Sequence, residues 1–271
     1  LEIYSMAYLR DIDFSDYPTN NLIERHIKLL NNSNIISNLL FRNKINFTPN
    51  TLFRSSSFGC EYGPYISQFL YKKINIGPFS YEQKFKLPPT RSTKSEWGVD
   101  SLETIDIQNG NLSNLAPFTL DQTLKYIRNG KDLGEVVHND QAYQLFYHTA
   151  SILLNIGAKP NPGLATFKNQ TGFATSFGGP AIYNNLGTVT ELALCHCWYW
   201  KWLVYRKIRP DAFSLLIHNT KNKIKKYNLP ELLLNNEILE DIKTLYGNYT
   251  LPMSYREGSP VHPSYPSGHA T

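Results

Sequence analysis

The sequence predicts an all-α protein built as a helical bundle, and three observations carry that expectation. Apolar residues recur at helical spacing in several segments, alternating strand patterns are scarce, and the stretches between the periodic segments are rich in Pro, Gly and Asn. At 271 residues the chain can bury a sizeable core, and it is read as one helical domain over 1–271.

Taken in order, Leu22 to Leu30 and Leu120 to Asn129 show short helical patterns. From Asn139 to Ile156, Ala142, Leu145, Phe146, Leu153 and Ile156 fall on one helical stripe, which Gly157, Pro160 and Pro162 stop. Thr188-Val-Thr-Glu191 spells a capping box, followed by Leu192, Cys195, Tyr199 and Trp202 on one side. That helix should end near Ile208, because Arg209 precedes Pro210. Phe213 to Ile217 and Leu232 to Leu245 complete the set. Pro88 to Gly98 and Lys159 to Gly187 read as ordered excursions between helices. The run Lys221, Lys223, Lys225, Lys226 reads as a solvated helix face.

Composition excludes several classes. Hydrophobic residues make up 41% and charged residues 18%, against disorder. A net charge of +5 suits anionic substrates and is too small to argue for nucleic acid. No apolar run approaches the roughly 18 residues of a membrane span. Cys60, Cys195 and Cys197 form no metal spacing, and the last two would point about 200° apart on a helix, so they would not bridge each other. Acceptor triplets at Asn31, Asn46, Asn111, Asn169 and Asn248 hint at secretion, although an Asn-rich chain also makes them by chance.

The chemistry concentrates in two places. In His262-Pro-Ser-Tyr-Pro-Ser-Gly-His-Ala-Thr271, Pro266 would set the first turn of a helix whose opening N–H groups, at Ser267, Gly268 and His269, form an anion cradle. Gly268 lets an oxyanion approach the backbone, Ser267 adds a hydroxyl, and His269 adds an imidazole able to move a proton near neutral pH. Alone, this would be an ordinary helix cap. In Lys201-Trp-Leu-Val-Tyr-Arg-Lys-Ile-Arg209-Pro210, two long cations would stand about 12 Å apart along one helix and about 80° around it. Arg209 offers a planar fork to two oxygens and Lys201 a compact charge to a third. Alone, the pair would be side chains snorkelling to water.

Together the motifs resemble the vanadate site of the vanadium-dependent haloperoxidases, relatives of the type-2 phosphatidic acid phosphatases. The pattern is Lys, six or seven residues, Arg-Pro, then Pro-Ser-Gly-His. The seven residues between Lys201 and Arg209 match the algal bromoperoxidase branch. The resemblance continues through Arg10-Asp11 with Phe14 and Tyr17, Gly63 to Leu70, Phe177 to Pro180, Leu251-Pro-Met253 and Glu257 to Pro260. It implies an all-α helical bundle and a vanadate held by Lys201, Arg209, Ser267, Gly268 and His269. It also implies His269 as general acid and base, with Lys201 polarising bound peroxide. The reaction implied is oxidation of bromide or iodide by hydrogen peroxide to a hypohalous-acid equivalent that halogenates an organic nucleophile. His262 and Trp198 would line the halide pocket; as a bland alternative, Trp198 is core. A homodimer or higher oligomer and an extracellular or cell-wall location are expected from the family alone. No role falls to His26, His138, His148, His196 or His218.

One family motif has no counterpart. The family's last motif is an Arg and, six residues on, the His that binds vanadium directly, and nothing after His269 can supply it. Arg256 and His262 have that offset but precede Pro-Ser-Gly-His, and are read as a decoy. The resemblance therefore implies an incomplete bundle, a fragment inactive by itself. Two other readings stay open: an acid phosphatase using the same cradle with His as nucleophile, and a non-catalytic helical remnant.

Overall fold

The computed structural model describes residues 1–32, 46–55, 59–89, 96–115, 117, 119–139, 143–159, 161–163 and 177–270. The expected positions Ala142, Pro160, Asn169 and Thr271 lie outside them. The described chain is helical as expected, with two short antiparallel strand pairs, β1 (Ile74–Ile76) with β2 (Phe79–Tyr81) and β3 (Phe85–Lys86) with β4 (Leu124–Lys125). It divides into two compact units.

The first unit comprises Leu1–Ser67, Lys84–His138 and Ile208–His262. Its core joins α1 (Glu2–Leu9), α2 (Asn21–Asn32), α7 (Pro210–Lys221) and α9 (Glu237–Tyr246), with α8 (Glu231–Leu234) alongside. In α2, Ile23, His26, Ile27 and Leu30 recur at i, i+3, i+4 and i+7, so one stripe is buried. Against it pack Ile238, Leu239 and Ile242 of α9, which the Asn236 side chain caps and Gly247 ends at φ 84°. The predicted helix over Leu232 to Leu245 is therefore two helices, because Asn235 and Asn236 interrupt it. α3 (Ser101–Gln108) is capped by Asp100, which accepts from the Glu103 N–H at 2.8 Å, and α4 is Gly130–His138.

The helix expected over Leu120 to Asn129 does not form. Asp121 instead caps a local turn, accepting from the Thr123 N–H at 3.0 Å, and Leu124–Lys125 pairs with Phe85–Lys86. The first unit also holds a buried ion cluster: Glu96 pairs with Arg10, and with Lys131 at 2.9 Å, all three being at most 8% exposed.

The second unit comprises Gln68–Gln83, Asn139–Lys207 and Pro263–Thr271. Here α5 (Gln144–Asn155) packs on α6 (Gly179–Tyr199) through Tyr147 and Tyr183, whose rings lie 5.6 Å apart, and through Ser151 Oγ, 2.8 Å from the Tyr183 hydroxyl. α6 starts nine residues before the predicted capping box, at Gly179 with Pro180 in the first turn. Thr188 is interior to it and bonds back to the Asn184 carbonyl at 3.0 Å. Leu192, Tyr199 and Trp202 are 63%, 55% and 48% exposed, so the predicted stripe is not buried within this unit.

Candidate functional site

α6 passes at Trp200–Tyr205 into a π-helical turn, in which the Arg206 N–H reaches the Lys201 carbonyl at 3.1 Å, five residues back. Arg206 then turns left-handed at φ 44° and ends the helix. Lys201 and Arg209 therefore do not share a continuous helix, and the expected 12 Å rise and 80° rotation do not apply. Arg209 is the extended cap residue (φ −72°, ψ 150°) of α7, as the following proline dictates.

In the second unit the π turn buries Lys201 to 8% exposure while Trp198, on the preceding turn, stands 50% exposed. Among the described residues no carboxylate lies within ion-pair distance of the Lys201 ammonium.

The Pro-Ser-Gly-His turn is held against the same helix end. The Cys197 thiol donates to the Pro266 carbonyl at 3.4 Å, the Ser264 N–H donates to the Lys207 carbonyl at 3.1 Å, and the Tyr205 and Tyr265 rings meet edge-on at 5.2 Å. The anticipated helix start appears as a 3₁₀ turn, Gly268–Ala270. Gly268 is half-buried, and a Cβ there would come 3.4 Å from Leu194 Cδ2, while Ser267 and His269 are exposed. Cys195 is exposed and Cys197 buried, both free thiols, so the two point apart as the helical spacing required.

In the first unit Arg209 lines a cavity of about 730 Å³. Its Nε lies 3.3 Å from Asp211 Oδ1, close enough for attraction, yet this buried N–H is not aimed at the oxygen and has no hydrogen-bond partner. Its Nη2 reaches the Gly258 carbonyl at 3.5 Å. Asp211 is itself fixed by Ser259 Oγ and by Gln108 Nε2 at 3.2 Å. Sequence reasoning passed over Asp211 as a positioning residue for Arg209. The signal was present: an acid in the first helical turn, two residues beyond the arginine.

His262 is half-buried in the first unit, its N–H bonded to the Pro260 carbonyl at 2.8 Å. Arg256 pairs with its neighbour Glu257. Two glycosylation acceptors have working amides: Asn31 Nδ2 donates to the Phe47 carbonyl at 2.9 Å, and Asn248 Nδ2 donates to the Val99 carbonyl. Among the described residues there is no cluster of metal-ligating side chains, and no helix is long and apolar enough to cross a membrane.

No family model matches the chain. Individual proteins do. A vanadium-dependent bromoperoxidase of Ascophyllum nodosum is 33% identical over 287 residues, covering 100% of this chain and 50% of the relative. One from Corallina pilulifera is 28% identical over 329 residues, covering 99% and 54%. The homohexameric second vanadate-dependent bromoperoxidase of Ascophyllum nodosum superposes with a TM-score of 0.83 at 33% identity, covering 99% of this chain and 46% of that one. The chain spans about half the length of the curated relatives it matches. Over that half, in sequence order and in backbone, it belongs to the algal branch of the vanadium-dependent haloperoxidases.

Proposed function

We propose that this chain holds vanadate and serves a haloperoxidase that oxidises bromide or iodide with hydrogen peroxide, passing the oxidised halogen to an organic nucleophile. The observation that carries the reading is Lys201, a residue 8% exposed with no carboxylate partner among the described residues, on the helix end that packs against Pro-Ser-Gly-His. The donor set suits a tetrahedral oxyanion. Within the second unit Lys201 supplies charge, Gly268 an approachable backbone N–H and Ser267 a hydroxyl; the family resemblance assigns Arg209, whose Nε–H is unsatisfied, to the same role. Vanadate, when bound, would supply a Lewis-acidic centre that activates peroxide toward halide. An imidazole nitrogen of His269 would take the peroxide proton and return it to a leaving oxygen. His262 and Trp198 would border the halide. The homohexameric neighbour supports self-association of this chain as well.

Two measurements test the proposal. Titration of the purified chain with vanadate, followed by vanadium NMR, should show saturable binding that phosphate displaces and that Lys201→Met removes. Assay of the native gene product should show vanadate-requiring, peroxide-dependent bromination of a phenol. Absence of vanadate binding, or phosphoester turnover that needs no peroxide, would sink the reading.

A further inference from the structure

Arg209 is held by a turn that a histidine holds from the other side. In the turn from Tyr255 to Ser259 of the first unit, the Gly258 carbonyl accepts from Arg209 Nη2 at 3.5 Å, and Ser259 Oγ donates to Asp211, whose Oδ1 stands 3.3 Å from Arg209 Nε. The turn is tight. The Gly258 N–H donates to the Tyr255 carbonyl at 3.0 Å, and a Cβ on Gly258 would come 2.9 Å from that oxygen. A shift of the turn therefore carries both contacts of the guanidinium with it.

His138, the last residue of α4, belongs to no sequence motif, yet it closes the far side of this turn. Its ring stacks on Tyr255 with centroids 4.2 Å apart and 13° between planes. Its Nδ1 lies 3.2 Å from Glu135 Oε1, and its Nε2 lies 3.7 Å from Glu257 Oε2. Glu135 is 2% exposed, and Glu257 Oε2 is buried and accepts no hydrogen bond, while Arg256 pairs with the other Glu257 oxygen. A neutral imidazole has one N–H for two carboxylates; with Nδ1–H directed at Glu135, a lone pair faces Glu257. An imidazolium has an N–H for each, so one proton turns a repulsive contact with Glu257 into an attractive one. Tyr255 stays neutral throughout, because burial pushes its hydroxyl up against the pull of Arg209, and Glu135 and Glu257 add to the rise.

We propose that His138 is a positioning residue for Arg209: its protonation draws Glu257 toward α4, Gly258 and Ser259 follow, and the charge on one imidazole sets the direction of the guanidinium. That this guanidinium serves vanadate rests on the reading above; the coupling does not.

The test uses the full 271-residue chain with isotope-labelled arginine and histidine side chains, without vanadate, peroxide or halide. NMR follows the Arg209 Nε–H signal, identified by its loss in Arg209→Lys, and the His138 ring signal, identified by its loss in His138→Phe, between about pH 5 and 8. The Arg209 signal should move with the same midpoint as the His138 ring. His138→Phe, which keeps the stack on Tyr255 and has no proton to gain, should abolish that movement. Glu257→Gln, at a side chain 39% exposed, should abolish it while the His138 ring still titrates, and carries the test if His138→Phe does not fold. His196→Phe, on the second unit's surface, should behave as the parent does. An Arg209 signal indifferent to pH, a midpoint different from that of His138, or movement retained in either variant would overturn the proposal. Vanadate titration of the same samples reads the oxyanion donors independently, so failure there is not confused with failure here.

Discussion

The thiol of Cys197 donates to the carbonyl of Pro266 at 3.4 Å, tying the turn that carries Ser267 to His269 to the helix end that carries Lys201. Cys197 is 1% exposed, so there is no room for a larger side chain. Cys197→Leu should push the turn away, lowering stability by about 1–3 kcal/mol and vanadate affinity at least tenfold. Cys195→Leu, on the exposed side of the same helix, should do neither. Thermal melts and vanadate titrations of the two variants check this.

Removing the ammonium of Lys201 should separate stability from binding. Lys201 is 8% exposed and has no carboxylate partner among the described residues, so Lys201→Met, which keeps an apolar stem of similar length, should leave the oxyanion-free protein as stable as the parent or more so. The same change should abolish the rise in melting temperature that vanadate or phosphate produces in the parent. A clear loss of stability without added anion would contradict the idea that the position is built for a ligand.

Glu96 joins two buried cations, and its removal should be severe. Glu96→Gln takes away the carboxylate shared by Arg10 and Lys131, and breaking a buried pair from one side costs about 3–5 kcal/mol. The urea midpoint should fall accordingly, whereas Glu24→Gln, which breaks the exposed pair with Lys28, should shift it by less than about 1 kcal/mol.

His26 should make stability depend on pH. Its ring is fully buried, stacked on Tyr8 and 3.0 Å from Ser5 Oγ. Burial lowers its pKa from 6.5 to about 4, outweighing the opposing pull of Asp241. The ring is therefore neutral near pH 7, and its 3.4 Å approach to Asp241 is not an ion pair there. Between about pH 6.5 and 4 the unfolded chain binds more protons than the folded one. The contribution is thus complete above 6.5 and is lost as pH falls toward 4, by about 3 kcal/mol. Urea unfolding at pH 7.5 and 4.5 should show this difference in the parent and lose it in His26→Gln.

The helical class was legible because burial in α2, α7 and α9 follows the 3.6-residue period of the sequence. The break at Arg209 was legible because proline acts locally on the residue before it. Leu120 to Asn129 misled for the same reason that propensity is weak: an Asp121 turn and a strand partner outweighed the apolar spacing. Thr188-Val-Thr-Glu191 misled because a capping box describes only local options, and Pro180 opened the helix earlier. The residues proposed to hold vanadate were named through the family resemblance that the Lys201 to Pro210 and Pro266 to His269 motifs carry, not through spacing alone. Asp211 beside Arg209 was not, because its role depends on Ser259 and Gln108, which are distant in sequence. Nor could any periodicity announce the wide turn at Trp200–Tyr205.

That wide turn separates what can drift from what cannot. Exchanging one aromatic for another within it changes packing, but only inserting or deleting a residue changes how many are wound into it, and each residue gained or lost would swing Lys201 by about a quarter of a revolution relative to the helix before it. The direction of this ammonium is therefore guarded by chain length rather than by side-chain identity, and natural variation here should run through substitution and avoid indels.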